Sequence, residues 1–202
     1  MSIRYLALGD SYTVGEGVAT RDCWPSLLVH RLRRHGMAID DPRIVAVTGW
    51  STDELAAGID AAALTPPYDL VSLQIGVNNQ YRGRPPGEYR SQFAALLARA
   101  IGLAGARAGR VVVLSIPDWG VTRFAREQAR DPLRIAHELD VFNAIARDET
   151  ARAGARFVDI TGISRQHPQL VADDGLHPSA AHYALWATAV LPVVRTAIRP
   201  PR

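Results

Sequence analysis

Two hydrophobic periodicities alternate along the chain. Short, unbroken apolar runs occur near residues 3–8, 43–48, 69–75, 110–116 and 155–160, each of strand length. Between them lie stretches with apolar residues at helical spacing, near 24–36, 52–64, 88–105 and 133–153, and a last one near 179–198. In the stretch at 88–105, Tyr89, Phe93, Leu96, Leu97, Ala100 and Ile101 fall on one face; in the last, Tyr183, Trp186, Ala187, Val190 and Val194 do the same. The runs Leu70–Ile75 and Val111–Ile116 are apolar on both faces of a strand, which predicts central positions in a sheet covered on both sides. Strand–helix alternation repeated this often predicts an α/β fold, a parallel five-stranded sheet between two helical layers. No linker or low-complexity tract divides the chain, so residues 1–202 are expected to form a single domain.

A parallel sheet puts every strand-to-helix turn along one edge, and in open α/β sheets ligands bind at that edge. In order, these turns carry Asp10-Ser11-Tyr12, Gly49-Trp50-Ser51, Gly76-Val77-Asn78-Asn79, Pro117-Asp118-Trp119-Gly120 and Asp173-Asp174-Gly175-Leu176-His177. Residues 11, 49, 78, 174 and 177 are therefore expected to converge although they span most of the sequence. The segments 12–23, 77–88 and 118–134 are the expected walls of the pocket.

Composition narrows the classes. Of 202 residues, 48% are hydrophobic and 21% charged, as in an ordinary globular protein. All 23 basic residues are Arg, yet the net charge is only +3 and the arginines are interleaved with acids, so no nucleic-acid footprint is expected. Cys23 is the only cysteine, which excludes an internal disulfide. No stretch reaches membrane-spanning length, and the chain opens straight into a strand without a leader pattern, so a cytoplasmic location is expected.

The turn residues have structural readings one by one. A serine after a strand-ending glycine caps helices, Gly49 suits a strand end, and Asn78 and Asn79 tolerate left-handed turn conformations. Taken together they supply what acyl transfer from an ester needs. Ser11 is a candidate nucleophile, His177 a candidate general base and acid, and Asp174, three residues earlier, a candidate orienting carboxylate. The backbone N–H groups of Ser11 and Gly49 and the side-chain amide of Asn78 are candidate donors to a tetrahedral oxyanion.

The blocks Gly9-Asp10-Ser11-Tyr12, Gly49, Gly76-Val77-Asn78-Asn79 and Asp174-Gly175-Leu176-His177 resemble those of the GDSL or SGNH hydrolase superfamily. The resemblance implies a flavodoxin-like, three-layer α/β/α fold and a serine esterase or lipase type of activity on a small-molecule ester. It implies the same roles for Ser11, Asp174 and His177 as triad and for Ser11, Gly49 and Asn78 as oxyanion hole, with no cofactor and no metal. Gly15 fits the glycine that often follows the nucleophile motif. Two departures stand out: Tyr12 replaces the family's leucine, and Asn79 stands where Asp is common. The alternatives are a non-catalytic carbohydrate- or acyl-binding module on the same fold, and an acyltransferase working through the same acyl-enzyme.

Other features weigh less. Gly49-Trp50-Ser51-Thr52-Asp53 lacks the final glycine of a nucleophile elbow, and Ser51 with Glu54 suits a helix capping box instead. The glycines at 9, 15 and 17 lack phosphate-loop spacing. His137 lacks metal-ligand spacing. Pro178 is expected at the first turn of the last helix. Trp50, Asn79 and Trp119, with Phe124, are candidates for substrate contact, the alternative for the three aromatics being lid or core positions, and Arg82, Arg84 and Arg123 for meeting an anionic or sugar-like group, the alternative being solvated surface arginines.

Overall fold

A computed structural model describes residues 2–198. The elements in chain order are β1 (Tyr5–Gly9), α1 (Ser11–Val14), α2 (Trp24–Arg34), β2 (Arg43–Ala46), α3 (Thr52–Ala61), β3 (Leu70–Gln74), α4 (Val77–Tyr81) and α5 (Pro86–Leu103). They continue with β4 (Val111–Leu114), α6 (Arg123–Glu127), α7 (Pro132–Arg152), β5 (Arg156–Val158), α8 (Thr161–Gln166) and α9 (Ala180–Ala197). The strands form one sheet in the order β2-β1-β3-β4-β5, and every neighbouring pair is parallel. This is the flavodoxin-like order, with its switch point between β1 and β3.

Burial follows the sequence pattern. Every residue of β1, β3 and β4 is buried, whereas the edge strands β2 and β5 are buried only in part. Helix α2 packs against α9 on one face of the sheet, and α5 packs against α3 and α7 on the other. The expected faces of α5 and α9 are buried, with only Ile101 partly exposed at the margin.

The differences from the sequence reading lie at element ends and in short helices. β2 stops at Ala46 because a turn follows, closed by Trp50 N–H donating to Val47 O at 3.2 Å. β5 stops at Val158 because the N–H groups of Ile160 and Thr161 both donate to the Ser115 hydroxyl, at 2.8 and 3.1 Å. Pro178 precedes the last helix rather than entering it: Ser179 is the cap of α9, and Pro178 bridges to Val171. Helices α1, α4, α6 and α8 have four to six residues, too short to show periodicity in the sequence. Among the described residues no helix is long and apolar enough to cross a membrane.

Candidate active site

Ser11 is the first residue of α1, directly beyond the C-terminal end of β1. The turn between them is tight. A Cβ on Gly9 would stand 2.1 Å from Thr13 Oγ1 and 2.5 Å from Gln74 O, so only glycine lets α1 fold back onto the strand ends. Asp10 caps the helix through its carboxyl, which accepts from Tyr12 N–H at 3.0 Å. Gly15 closes it in the left-handed conformation at φ 83°. Ser11 N–H, at the first position of a helix, has no intrahelical acceptor and is free to bind an anion.

Asp174 and His177 lie on the loop before α9. Asp174 Oδ1 accepts from the backbone N–H groups of Leu176 and His177, at 2.9 and 3.0 Å, and Oδ2 lies 2.6 Å from His177 Nδ1. Three-residue spacing thus puts the carboxylate on Nδ1 and leaves Nε2 available. Partial burial pushes the Asp174 carboxyl up, but the hydrogen bonds from His177 and from the two N–H groups outweigh it, and its pKa lies below the ordinary carboxylate range. The loop is clamped from outside. Phe124 N–H donates to Gly175 O at 3.0 Å, Arg123 donates to Asp173 O at 2.6 Å, and a Cβ on Gly175 would stand 2.6 Å from the Arg123 guanidinium.

Ser11 and His177 line one cavity of about 250 Å³, together with Gly49, Asn78, Trp119, Phe124 and Tyr81. Four of the five predicted site residues therefore share one cavity, and Asp174 stands behind His177. A larger groove of about 730 Å³ lies beyond Tyr81 and includes neither Ser11 nor His177. Gly49 has φ 88° at the third position of the 47–50 turn, and no atom lies within 4 Å of where a Cβ would be. Asn78 is on the first turn of α4, whose N-terminal cap position is Gly76 (φ 130°), where a Cβ would stand 2.6 Å from the Tyr89 ring. The Asn78 amide donates to Trp50 O at 2.9 Å with one of its two N–H bonds.

The remaining candidates divide. Trp119 is 2% exposed, lines the cavity and is held by Nε1 donating to Gln80 Oε1 at 2.8 Å. Phe124 lines it too, whereas Trp50 and Asn79 do not. The Trp50 ring lies on α3, where a Cβ on Gly58 would stand 2.2 Å from it. Asn79 is fully buried: its Oδ1 accepts from Thr52 N–H at 3.1 Å and its Nδ2 donates to Thr52 Oγ1 at 2.7 Å. It ties α4 to α3, and because it both accepts and donates, an amide serves here where a carboxylate would not. The three arginines are engaged within the protein: Arg82 by Glu54, Arg84 by Asp53 and Arg123 by Asp173 O. Ser51 and Glu54 form the expected capping box of α3.

Tyr12, which stands where the family has leucine, packs directly against a candidate site residue. Its ring meets the His177 imidazole edge-on, with centroids 5.8 Å apart, and rests on Trp186 at 5.9 Å. No local signal marks this, since the contact spans the whole chain.

Residues 7–185 match the model of the GDSL-like lipase/acylhydrolase family. The chain belongs to that family. This makes it an enzyme of the GDSL/SGNH esterase class and speaks against the binding-module alternative. An arylesterase of Vibrio mimicus is 27% identical over 182 residues, covering 88% of this chain and 80% of that protein. Esterase TesA of Pseudomonas aeruginosa is 26% identical over 181 residues, covering 87% and 80%. Among solved structures, a lipase/acylhydrolase from Enterococcus faecalis superposes with a TM-score of 0.76 at 17% identity, covering 99% of each chain. Axe2, an acetyl xylan esterase from Geobacillus stearothermophilus, superposes with a TM-score of 0.72 at 19% identity, covering 100% of each. Both structures share the GDSL-family fold seen here.

Proposed function

We propose that this GDSL-family enzyme cleaves carboxylic esters through an acyl-enzyme on Ser11. The observation that carries the reading is the 2.6 Å contact of Asp174 Oδ2 with His177 Nδ1 beside a cavity shared by His177 and Ser11. With Nδ1–H held by the carboxylate, Nε2 carries the lone pair that takes the Ser11 proton. Ser11 Oγ then attacks the carbonyl carbon, and the oxyanion receives the N–H groups of Ser11 and Gly49 and the free N–H of Asn78. Collapse expels the alcohol, protonated by His177. Water, activated by the same imidazole, attacks the acyl carbon and releases the acid and the serine hydroxyl.

The cavity size argues for compact substrates. About 250 Å³ walled by Trp119, Phe124 and Tyr81 suits a short acyl or aromatic group rather than a long chain lying full length. A panel of p-nitrophenyl esters of increasing chain length, with Ser11→Ala as blank, tests this. The expected result is kcat/KM falling steadily beyond short acyl chains and no enzymatic turnover in the blank. A preference for long chains would overturn the compact-substrate reading, and retained turnover in the blank would overturn the acyl-enzyme.

A further inference from the structure

The Gly49 turn presents a puzzle of rigidity. Its φ of 88° is available to glycine at little cost, but glycine is also the residue whose backbone wanders most freely, and no side chain packs where its Cβ would be. An oxyanion donor is useful only if it is already aimed when charge develops. Something outside the turn must hold it.

Two groups from α4 do so. The Asn78 amide donates to Trp50 O at 2.9 Å, and Arg82 Nη2 donates to Gly49 O at 2.7 Å. Arg82 immediately follows α4, and its backbone N–H bonds to Asn78 O at 3.1 Å, so one short element carries both the Asn78 amide and the guanidinium. The other arm of the fork, Nη1, donates to Glu54 Oε2 at 2.9 Å and approaches Ser51 Oγ at 3.3 Å. Glu54 is fixed in turn by the α3 capping box, accepting from Ser51 N–H at 2.8 Å. A rigid carboxylate thus orients a planar guanidinium, which grips the Gly49 carbonyl. With the planes of the 49–50 and 50–51 peptides held, the Gly49 N–H can be re-aimed only through the φ and ψ of Gly49 itself.

We propose that Arg82 is a positioning residue: it clamps the Gly49 carbonyl to α4, so that the Gly49 N–H and the Asn78 amide face the cavity as one unit. The proposal rests on the oxyanion roles given to Gly49 and Asn78 above. Its weight falls on turnover rather than on stability. The side chains of Arg82 and Glu54 are 39% and 41% exposed, and pairs that open to solvent contribute little to folding. The fork geometry matters as well, since an ammonium cannot grip Gly49 O and Glu54 through two coplanar N–H bonds.

The test compares Arg82→Gln, Arg82→Lys, Asn78→Ala and the Arg82→Gln/Asn78→Ala pair on a short p-nitrophenyl ester and on a boronic acid that forms a tetrahedral anion in the site. Asn78→Ala is expected to lower kcat by about 10²–10³-fold, the usual loss for one oxyanion donor. Arg82→Gln is expected to lower kcat by about 10- to 100-fold, to weaken the boronate by a similar factor and to leave KM and Tm nearly unchanged. Arg82→Lys should fall between Arg82→Gln and the parent, and the double variant should lose much less than the product of the single losses. If Asn78→Ala is impaired while Arg82→Gln keeps full turnover and boronate affinity, the clamp is wrong and the oxyanion reading stands. If Asn78→Ala itself keeps full turnover, both are wrong. An Arg82→Gln loss that follows Tm, with KM rising and boronate affinity kept, would make Arg82 merely structural and overturn the proposal.

Discussion

Asp10, next to the proposed nucleophile Ser11, is 1% exposed, and burial pushes its carboxyl up to about 7 against the hydrogen bond from Tyr12 N–H. A carboxyl whose folded pKa exceeds its unfolded value of about 3.9 holds its proton more tightly when folded. Its contribution to stability is therefore complete below about pH 4 and is lost as the pH rises through about 7, at a cost on the order of a few kcal/mol. Asp10→Asn keeps the cap acceptor and cannot ionise. Thermal unfolding across pH 4–8 should show the variant gaining on the parent as the pH rises, whereas parallel profiles would show that Asp10 does not titrate in this window. Gly49 gives a second expectation at this scale. Gly49→Ala meets no steric obstacle but must adopt φ 88°, so it should cost about 1–2 kcal/mol in urea unfolding and lower kcat as the N–H turns away. A variant with unchanged kcat would remove Gly49 from the oxyanion hole. At this scale the convergence of Ser11, Gly49, Asn78 and His177 on one cavity, with Asp174 on His177, was legible from motif order and spacing. The surroundings of Tyr12, Trp50 and Asn79 were not legible, because they come from elements distant in sequence.

Among the elements, α1 and α4 carry Ser11 and Asn78, the proposed nucleophile and amide donor, with only four and five residues. Isolated helices so short do not form in water, so tertiary contacts must hold these two. For α1 these are Gly9, which lets it close on the strand ends, and Gly15, whose Cβ would stand 2.5 Å from Cys23 Cβ. For α4 the tie is Asn79 to Thr52, with the Thr52 hydroxyl in turn donating a hydrogen bond to Gln92 Oε1. A carboxylate at position 79 cannot donate to Thr52. Asn79→Asp should therefore cost about 1–3 kcal/mol in urea unfolding, with KM for a short ester unchanged because the side chain lies outside the cavity. A raised KM with full stability would return Asn79 to the substrate site. Such helices leave no periodic signal, whereas α5, α7 and α9 were readable from their apolar faces. The roles of the arginines were not readable. Arg82, Arg84 and Arg123 find their partners 28, 31 and 50 residues away, which composition cannot reveal.

Over the whole molecule, the parallel sheet turns sequence distance into proximity. β1 and β3 flank the switch point, so Ser11 and Asn78 emerge side by side, and the loop before α9 brings Asp174 and His177 from the other end of the chain. Alternation of strand and helix predicted the parallel sheet, whereas the strand order β2-β1-β3-β4-β5 was implied only through the family resemblance, because periodicity says nothing about which strands neighbour. Since α9 packs on α2 and Trp186 supports Tyr12 beneath His177, turnover and far-UV ellipticity should disappear at the same urea concentration. Earlier loss of turnover would mean that the 174–177 loop opens on its own. The most direct test of the central claim is intact-protein and peptide mass spectrometry after reaction with a fluorophosphonate. One adduct per chain, on the Ser11 peptide, absent in Ser11→Ala and slowed in His177→Ala, is the expected result. An adduct on another residue, or none while ester turnover continues, would contradict it.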